Sequence, residues 1–177
     1  MPLESLSAEE ILSLVRAYID FFPRRERRTF ESIAKRQHNI SVYKEDGNIV
    51  AVLMAYSLSE SFYIEYLLVM PEHQGKGIGT KILKDLMDEY QDKDIILECE
   101  HPEEGENAVR RIKLYRSLGF ELEDIPYLQP PYRQGDAPTP LLLMRKRCSD
   151  IPIGSIISEL YAVVYNISDF ESYGKDL

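Results

Sequence analysis

At 177 residues, with 44% hydrophobic and 29% charged side chains, the chain has the make-up of one globular domain able to bury a substantial core. Its formal net charge of −9 argues against nucleic acid as a partner, because neutralising a phosphate backbone takes a broad basic surface. No long apolar run and no basic-then-apolar leader marks it for a membrane or for export, so a cytoplasmic protein is expected. Its two cysteines, Cys99 and Cys148, make neither a metal spacing nor a disulfide framework.

In chain order, Ser7-Ala8-Glu9-Glu10 reads as a capping box that opens a helix, with Ile11, Leu14, Val15 and Ile19 on one face. Phe22-Pro23 breaks it, and residues 24–37 are predicted as a second helix. There Arg24, Arg25, Arg27, Arg28, Lys35 and Arg36 form a basic cluster, read as a solvated helix face rather than an RNA site in so acidic a chain. Residues 40–45 and 49–58 are predicted strands around the hairpin signal Asp46-Gly47-Asn48. A strand over 62–70, a glycine-rich turn and a helix over 79–90 follow. Then come a strand over 94–100, a helix over 107–118, a strand near 120–123, a Pro- and Tyr-rich loop over 125–140 and a strand over 141–146. Ile153, Ile156, Ile157, Leu160, Val163, Val164 and Ile167 keep helical spacing, which predicts an amphipathic C-terminal helix packed on its own sheet or, alternatively, on a second copy in a homodimer.

The turn is the most informative stretch. The first N–H groups of a helix lack partners within it and carry the positive end of its dipole, so they suit an anion. Gly75, Gly77 and Gly79 lack a Cβ, so the backbone can take positive φ and a phosphate can approach it closely. Two nucleotide patterns fail on spacing. In G-x-G-x-x-G the third glycine would fall at Thr80, and in G-x-x-x-x-G-K-[ST] the residue after Gly75-Lys76 would have to be Ser or Thr but is Gly77. What remains is Gln74-x-x-Gly77-x-Gly79 between a strand ending at Val69 and an amphipathic helix. This resembles the acyl-CoA-binding motif of the GNAT superfamily of N-acetyltransferases.

A second segment, Asn107 to Phe120, carries Leu114-Tyr115-x-x-Leu118-Gly119-Phe120, with Gly119 where a helix C-cap belongs. It resembles the second signature of the same superfamily, in which that Tyr lies beside the CoA sulfur. The resemblance implies an α+β (three-layer α/β) fold with one mixed, mostly antiparallel sheet flanked by helices, whose fourth and fifth strands, here 62–70 and 94–100, splay to admit the pantetheine arm. The first strand of that fold would be reduced to residues 1–6 at most. One GNAT-like domain over 1–150, a C-terminal helix over 151–167 and a flexible tail over 168–177 are expected.

The activity implied is transfer of the acetyl group of acetyl-CoA, without a metal, to a primary amine in a ternary complex. By resemblance, backbone groups of Leu67, Leu68 and Val69 bind the thioester carbonyl and pantetheine, and the segment Gln74, Gly75, Lys76, Gly77, Ile78, Gly79, Thr80 holds the pyrophosphate. By the same resemblance Tyr115 is expected to be the general acid. Asn107 is the candidate contact to the CoA arm, standing eight residues before Tyr115 where seven is usual. Glu65 leads the candidates for general base, since period-two alternation puts it on one strand face with Leu67 and Val69, and Glu98 and Glu100 are its rivals. Tyr127-Leu128-Gln129-Pro130-Pro131-Tyr132 stands where relatives place a substrate-side loop, with Tyr63, Tyr66 and Phe22-Pro23-Arg24 as further candidates for the acceptor pocket. The acid balance of the chain suits a cationic small molecule or peptide as acceptor, with Lys76 and Lys81 as a local basic spot for the CoA phosphates. The alternative is a CoA-binding sensor or interaction domain without turnover.

Overall fold

A computed structural model describes residues 1–167, and the tail expected over 168–177 lies outside the described residues. Strands β1 (Ile40–Glu45), β2 (Asn48–Ser57), β3 (Ser61–Val69), β4 (Asp94–Cys99), β5 (Glu121–Leu122), β6 (Tyr127–Gln129) and β7 (Thr139–Lys146) form a mostly antiparallel open sheet in the order β1-β2-β3-β4-β7-β5, with β6 paired to β7 off that path. The chain forms two compact units interleaved along the sequence. One comprises residues 1–55, 64–89 and 131–137, and the other residues 56–63, 90–130 and those from 138 onward.

In the first unit, helix α1 (Ala8–Phe21) starts on the capping box read from the sequence: Glu10 N donates to Ser7 Oγ at 3.3 Å and Ser7 N to Glu10 Oε2 at 2.7 Å. Its Leu14 and Ala17 pack with Val42, Ile49, Leu68 and Met70. Strands β1 (Ile40–Glu45) and β2 (Asn48–Ser57) pair across Asp46 and Gly47, both at positive φ (48° and 81°), the two-residue loop whose twist suits a hairpin. Residues 1–6 hold a short 3₁₀ turn instead of a strand, yet Met1 exchanges two backbone hydrogen bonds with Val42, each 2.9 Å. A single residue thus pairs with β1. Strand β3 (Ser61–Val69) runs into the glycine turn, and helix α3 (Ile78–Glu89) buries Ile82, Leu83 and Leu86.

The long basic helix expected over 24–37 is corrected. The segment divides into a 3₁₀ turn at Arg24–Glu26, an extended Arg27-Arg28 step, the five-residue helix α2 (Phe30–Ala34) and a second 3₁₀ turn at Gln37–Asn39. Thr29 supplies the physical reason for the break. It sits in extended conformation as the N-cap of α2, accepting from Ser32 N at 3.2 Å, so a helix starts afresh there. Arg28, expected on a solvated face, is buried at 5% exposure.

In the second unit, β4 (Asp94–Cys99) pairs antiparallel with β7 (Thr139–Lys146), Ile95 opposite Lys146 and Cys99 opposite Leu142. Helix α4 (Glu106–Ser117) leads to the short β5 (Glu121–Leu122), also on β7. The stretch expected as plain loop over 125–140 contains a strand, β6 (Tyr127–Gln129), registered with Tyr127 opposite Leu141 and Gln129 opposite Thr139. Its flanking prolines disguise so short a strand. Helix α5 (Ile153–Leu160) continues into a π-helical turn at Tyr161–Tyr165, ended by Asn166 at φ 59°. Ile156, Ile157, Leu160, Tyr161 and Val164 are buried.

A fully buried ion pair fixes the start of β4 to the end of β7. Asp94 and Arg145 side chains are both 0% exposed and joined through Arg145 Nε at 2.7 Å and through Nη2. Asp94 also accepts from the Cys148 and Ser149 backbone N–H groups at 2.6 and 3.1 Å, and Arg145 Nη2 donates to Ile151 O at 2.9 Å. These bonds anchor the chain leading into α5. No helix among the described residues is long and apolar enough to cross a membrane.

Candidate functional site

The glycine turn follows β3 through one 3₁₀ turn at Pro71–His73. Met70 is buried and its N–H donates to Val50 O at 2.9 Å, while Gln74 Nε2 donates to Val69 O at 3.1 Å. Gln74 thus ties the turn back to the strand end. Gly75 and Gly77 take φ of 75° and 80°, the left-handed region, and nothing lies within 4 Å of where their Cβ atoms would stand. Gly79 serves packing instead: a Cβ there would meet Val69 Cγ2 at 3.4 Å. The first helical bond of α3 is Lys81 N–H to Gly77 O at 2.9 Å. Among the described residues, the backbone N–H groups from Gly75 to Thr80 donate to no protein acceptor. An open, left-handed turn with unengaged N–H groups at a helix start, beside the exposed Lys76, can take a phosphate or pyrophosphate. In β3, Leu68 is buried and packs in the α1 core, while Leu67 and Val69 are half-buried.

Glu65 is enclosed. Its side chain is 0% exposed, and its Oε1 accepts from Arg28 Nε and from the Tyr132 hydroxyl, each at 2.7 Å. The Arg28 guanidinium also lies 4.6 Å from the Tyr132 ring centre, a cation–π contact. Arg28 N–H donates to the Tyr18 and Tyr66 hydroxyls at 2.8 and 3.2 Å, and Tyr66 OH donates to Glu26 O at 2.7 Å. Burial pushes Tyr18 up to about 12 and Tyr66 well above the usual phenol value, so both remain neutral hydroxyls. Arg133 Nη1 adds bonds to Arg24 O and Arg27 O at 3.0 and 2.9 Å. Of the basic cluster, Arg28 thus turns inward onto Glu65, while the Arg24 and Arg27 carbonyls hold Arg133. The sequence signal for this was a carboxylate in an apolar strand, which needs a partner when buried.

In the second unit, Glu98 of β4 gathers a ring of phenols and an amide. It accepts from Tyr127 OH, from Gln129 Nε2 at 2.6 Å and from Tyr165 OH at 3.2 and 3.4 Å, and the Tyr165 hydroxyl is 3.2 Å from that of Tyr63. Tyr161 OH donates to Leu128 O, joining the C-terminal segment to β6. Tyr127 is held well above the usual phenol value by burial and by the neighbouring Glu98 charge. Tyr165 was absent from the sequence reading, since only the apolar positions of its helix carried a signal.

Glu100, the other strand rival, pairs with Arg111 of α4, whose Nε donates at 3.1 Å. The signature at the end of α4 proves to be a Schellman cap. Phe120 N–H donates to Tyr115 O and Gly119 N–H to Arg116 O, both at 3.0 Å, with Gly119 at φ 84°. The Phe120 ring packs 5.9 Å from the Tyr115 ring, the apolar contact that accompanies such a cap. The cap thus fixes the backbone and ring of Tyr115. The Tyr115 hydroxyl makes no hydrogen bond among the described residues, and burial, with Cys99 nearby, pushes it up to about 12. Cys99 is likewise pushed up to about 12 by burial and remains a neutral thiol. Asn107 is exposed in the first turn of α4.

Residues 8–120 match the family described as Acetyltransferase (GNAT) family. No curated protein matches the chain. Among solved structures, one from Bacteroides thetaiotaomicron, described as a GNAT-family acetyltransferase, is 25% identical and covers 94% of this chain and 98% of its own, with a TM-score of 0.78. The ribosomal-protein-S18-alanine N-acetyltransferase of Escherichia coli is 18% identical, covering 84% and 96%, with a TM-score of 0.57. Naa50 of Arabidopsis thaliana, in complex with the bisubstrate analogue CoA-Ac-MVNAL, is 20% identical, covering 80% and 95%, with a TM-score of 0.55. The last two likenesses concern the fold. The family match and the Bacteroides thetaiotaomicron structure bear out the fold and the resemblance carried by the glycine turn and the Tyr115 helix.

Proposed function

As the chain belongs to the acetyltransferase (GNAT) family and is an acyltransferase, we propose that it transfers the acetyl group of acetyl-CoA directly to a primary amine of a cationic small molecule or peptide. The observation that carries this reading is the glycine turn, whose unengaged N–H groups from Gly75 to Thr80 and open left-handed glycines fit a diphosphate. Residues 1–150 are read as the catalytic domain and 151–167 as an appended segment.

Acetyl-CoA supplies an activated thioester, and the protein's part is to bind it, polarise it and move protons. Gln74, Gly75, Lys76, Gly77, Ile78, Gly79 and Thr80 hold the pyrophosphate, with Asn107 on the CoA arm. Backbone groups of Leu67, Leu68 and Val69 in β3 bind pantetheine and the thioester carbonyl, where negative charge grows as the amine attacks. The new C–N bond forms as the C–S bond breaks, the amine losing one proton and the sulfur gaining one. Tyr115, protonated throughout the working pH range, is assigned as proton donor to the leaving sulfur. Glu65 and Glu100 are each committed to an arginine, so proton acceptance from the amine is assigned to Glu98.

Release of CoA thiol from acetyl-CoA across a panel of primary amines tests the activity, and calorimetric titration with CoA tests the cradle. Gly77→Ala places a Cβ at φ 80°, a strain of about 1–2 kcal/mol. CoA binding is expected to weaken about tenfold. Equal affinity in the variant would remove the loop's role, and no CoA binding by the parent protein would remove the whole reading.

A further inference from the structure

We propose that Glu98, Gln129 and Tyr165 form the seat for a primary ammonium group of the acceptor, so that the C-terminal segment, beyond the family-matched residues, takes part in choosing the substrate. Calling this ligand the acceptor rests on the acetyltransferase reading; the seat itself rests on the following geometry.

Gln129 is 4% exposed, and its Nε2 donates to Glu98 Oε2 at 2.6 Å, which fixes the other end of the amide as an acceptor. That Oε1 is buried and has no hydrogen-bond partner among the described residues. Leaving an amide oxygen so is costly, and a ligand carrying a donor would recover that cost. The neighbouring acceptor is a carboxylate. A group that serves both must bring at least two donors and favours a positive charge. A primary ammonium has three N–H donors on one small centre; a hydroxyl has one and a quaternary ammonium none.

The surroundings fit such a guest. Glu98 and Tyr165 are half-buried, so the cluster has an approachable side, whereas Tyr63, Tyr127 and Tyr161 are buried and give it fixed walls. Tyr165 OH lies against Glu98 at 3.2 Å and Tyr63 OH at 3.2 Å. It is placed there by the π-helical turn Tyr161–Tyr165, a local widening of a helix that recurs at functional sites. Four residues earlier Tyr161 OH holds Leu128 O, beside Gln129, so one turn of the C-terminal segment both steadies β6 and closes the seat.

The test is residue-resolved NMR on the full chain, following the backbone amides of Glu98, Gln129 and Tyr165 during titration with methylammonium chloride. Tetramethylammonium chloride at matched ionic strength, equal in charge but without N–H donors, is the control. Methylammonium alone is expected to shift these signals. Gln129→Met is expected to weaken the effect about tenfold or more, and Tyr165→Phe, which removes one hydroxyl from a half-buried site, several-fold. Equal shifts with both salts, or none with methylammonium, would overturn the proposal. CoA titrated into the same sample separates the two readings. A protein that binds CoA but not methylammonium loses the seat and keeps the cradle. One that binds methylammonium but not CoA keeps the seat and loses its assignment to an acceptor.

Discussion

Tyr115→Phe is expected to lower kcat by about a hundredfold or more, the range for loss of a general acid, while CoA affinity stays unchanged. Phe preserves the ring contact with Phe120 and leaves the Schellman cap intact, because the cap bonds are made by backbone groups. Loss of activity therefore isolates the hydroxyl. The pH profile carries a second expectation. The acceptor must be neutral to attack, so the rate rises with pH toward the amine's own pKa, about 10.4 for a lysine-like group. An ordinary phenol would begin to lose its proton in that same range, near pH 10, and the profile would turn down. Burial holds Tyr115 at about 12, so no descending limb from this group is expected below about pH 11. Single-turnover rates across pH for the parent and for Tyr115→Phe check both points. An unchanged kcat in the variant would end the assignment.

Arg145→Met is expected to be the most damaging single change to stability. It leaves Asp94 buried at 0% exposure without its guanidinium, and breaking a buried pair from one side costs about 3–5 kcal/mol. For a chain of this length that lowers Tm by roughly ten degrees or more. The companion double variant Asp94→Leu with Arg145→Met is expected to regain most of the loss, because well-packed apolar residues replace such a pair at little cost. Stability also depends on acid. Burial acts to raise the Asp94 carboxyl, but the Cys148 backbone N–H and the Arg145 guanidinium outweigh it and hold it below the usual carboxylate range. A depressed carboxylate contributes stability that is present above its unfolded value, about 3.9, and is lost as pH falls through the lower folded value. The Tm gap between the parent and Asp94→Asn is therefore expected to close toward low pH. A gap that persists in strong acid would assign the loss to shape rather than charge.

What the sequence made legible is what neighbours in the chain decide. Ser7 with Glu10, Asp46 with Gly47, and Gly119 after Leu118 each close a local structure within a few residues, and all formed where expected. The glycine turn was equally plain, since its spacing excludes other phosphate motifs without reference to distant parts. What stayed hidden depends on separation. Arg28 looked like one more exposed base because its partner Glu65 stands 37 residues away. Thr29, the N-cap that starts α2, lies inside a stretch of bases that read as one helix. Gln129 carried no sign of burial, as glutamine is usually exposed, and β6 exists only because Thr139–Leu141 lies opposite it. For Glu98, partners 29, 31 and 67 residues along the chain determine what the carboxylate can do.

The interleaving of the two units sets an order on synthesis. When the apolar β2 and β3 leave the ribosome, Arg28 is already available to Glu65, but Tyr132, the other partner of that carboxylate, is made 67 residues after it. Asp94 in its turn must wait for Arg145, Cys148 and Ser149. Until those residues emerge, a nascent chain carries a carboxylate with no place to settle and sheet strands with unmatched edges. Such a chain gains little by committing to structure half-made, and its window for mispairing with neighbours stays open until they do.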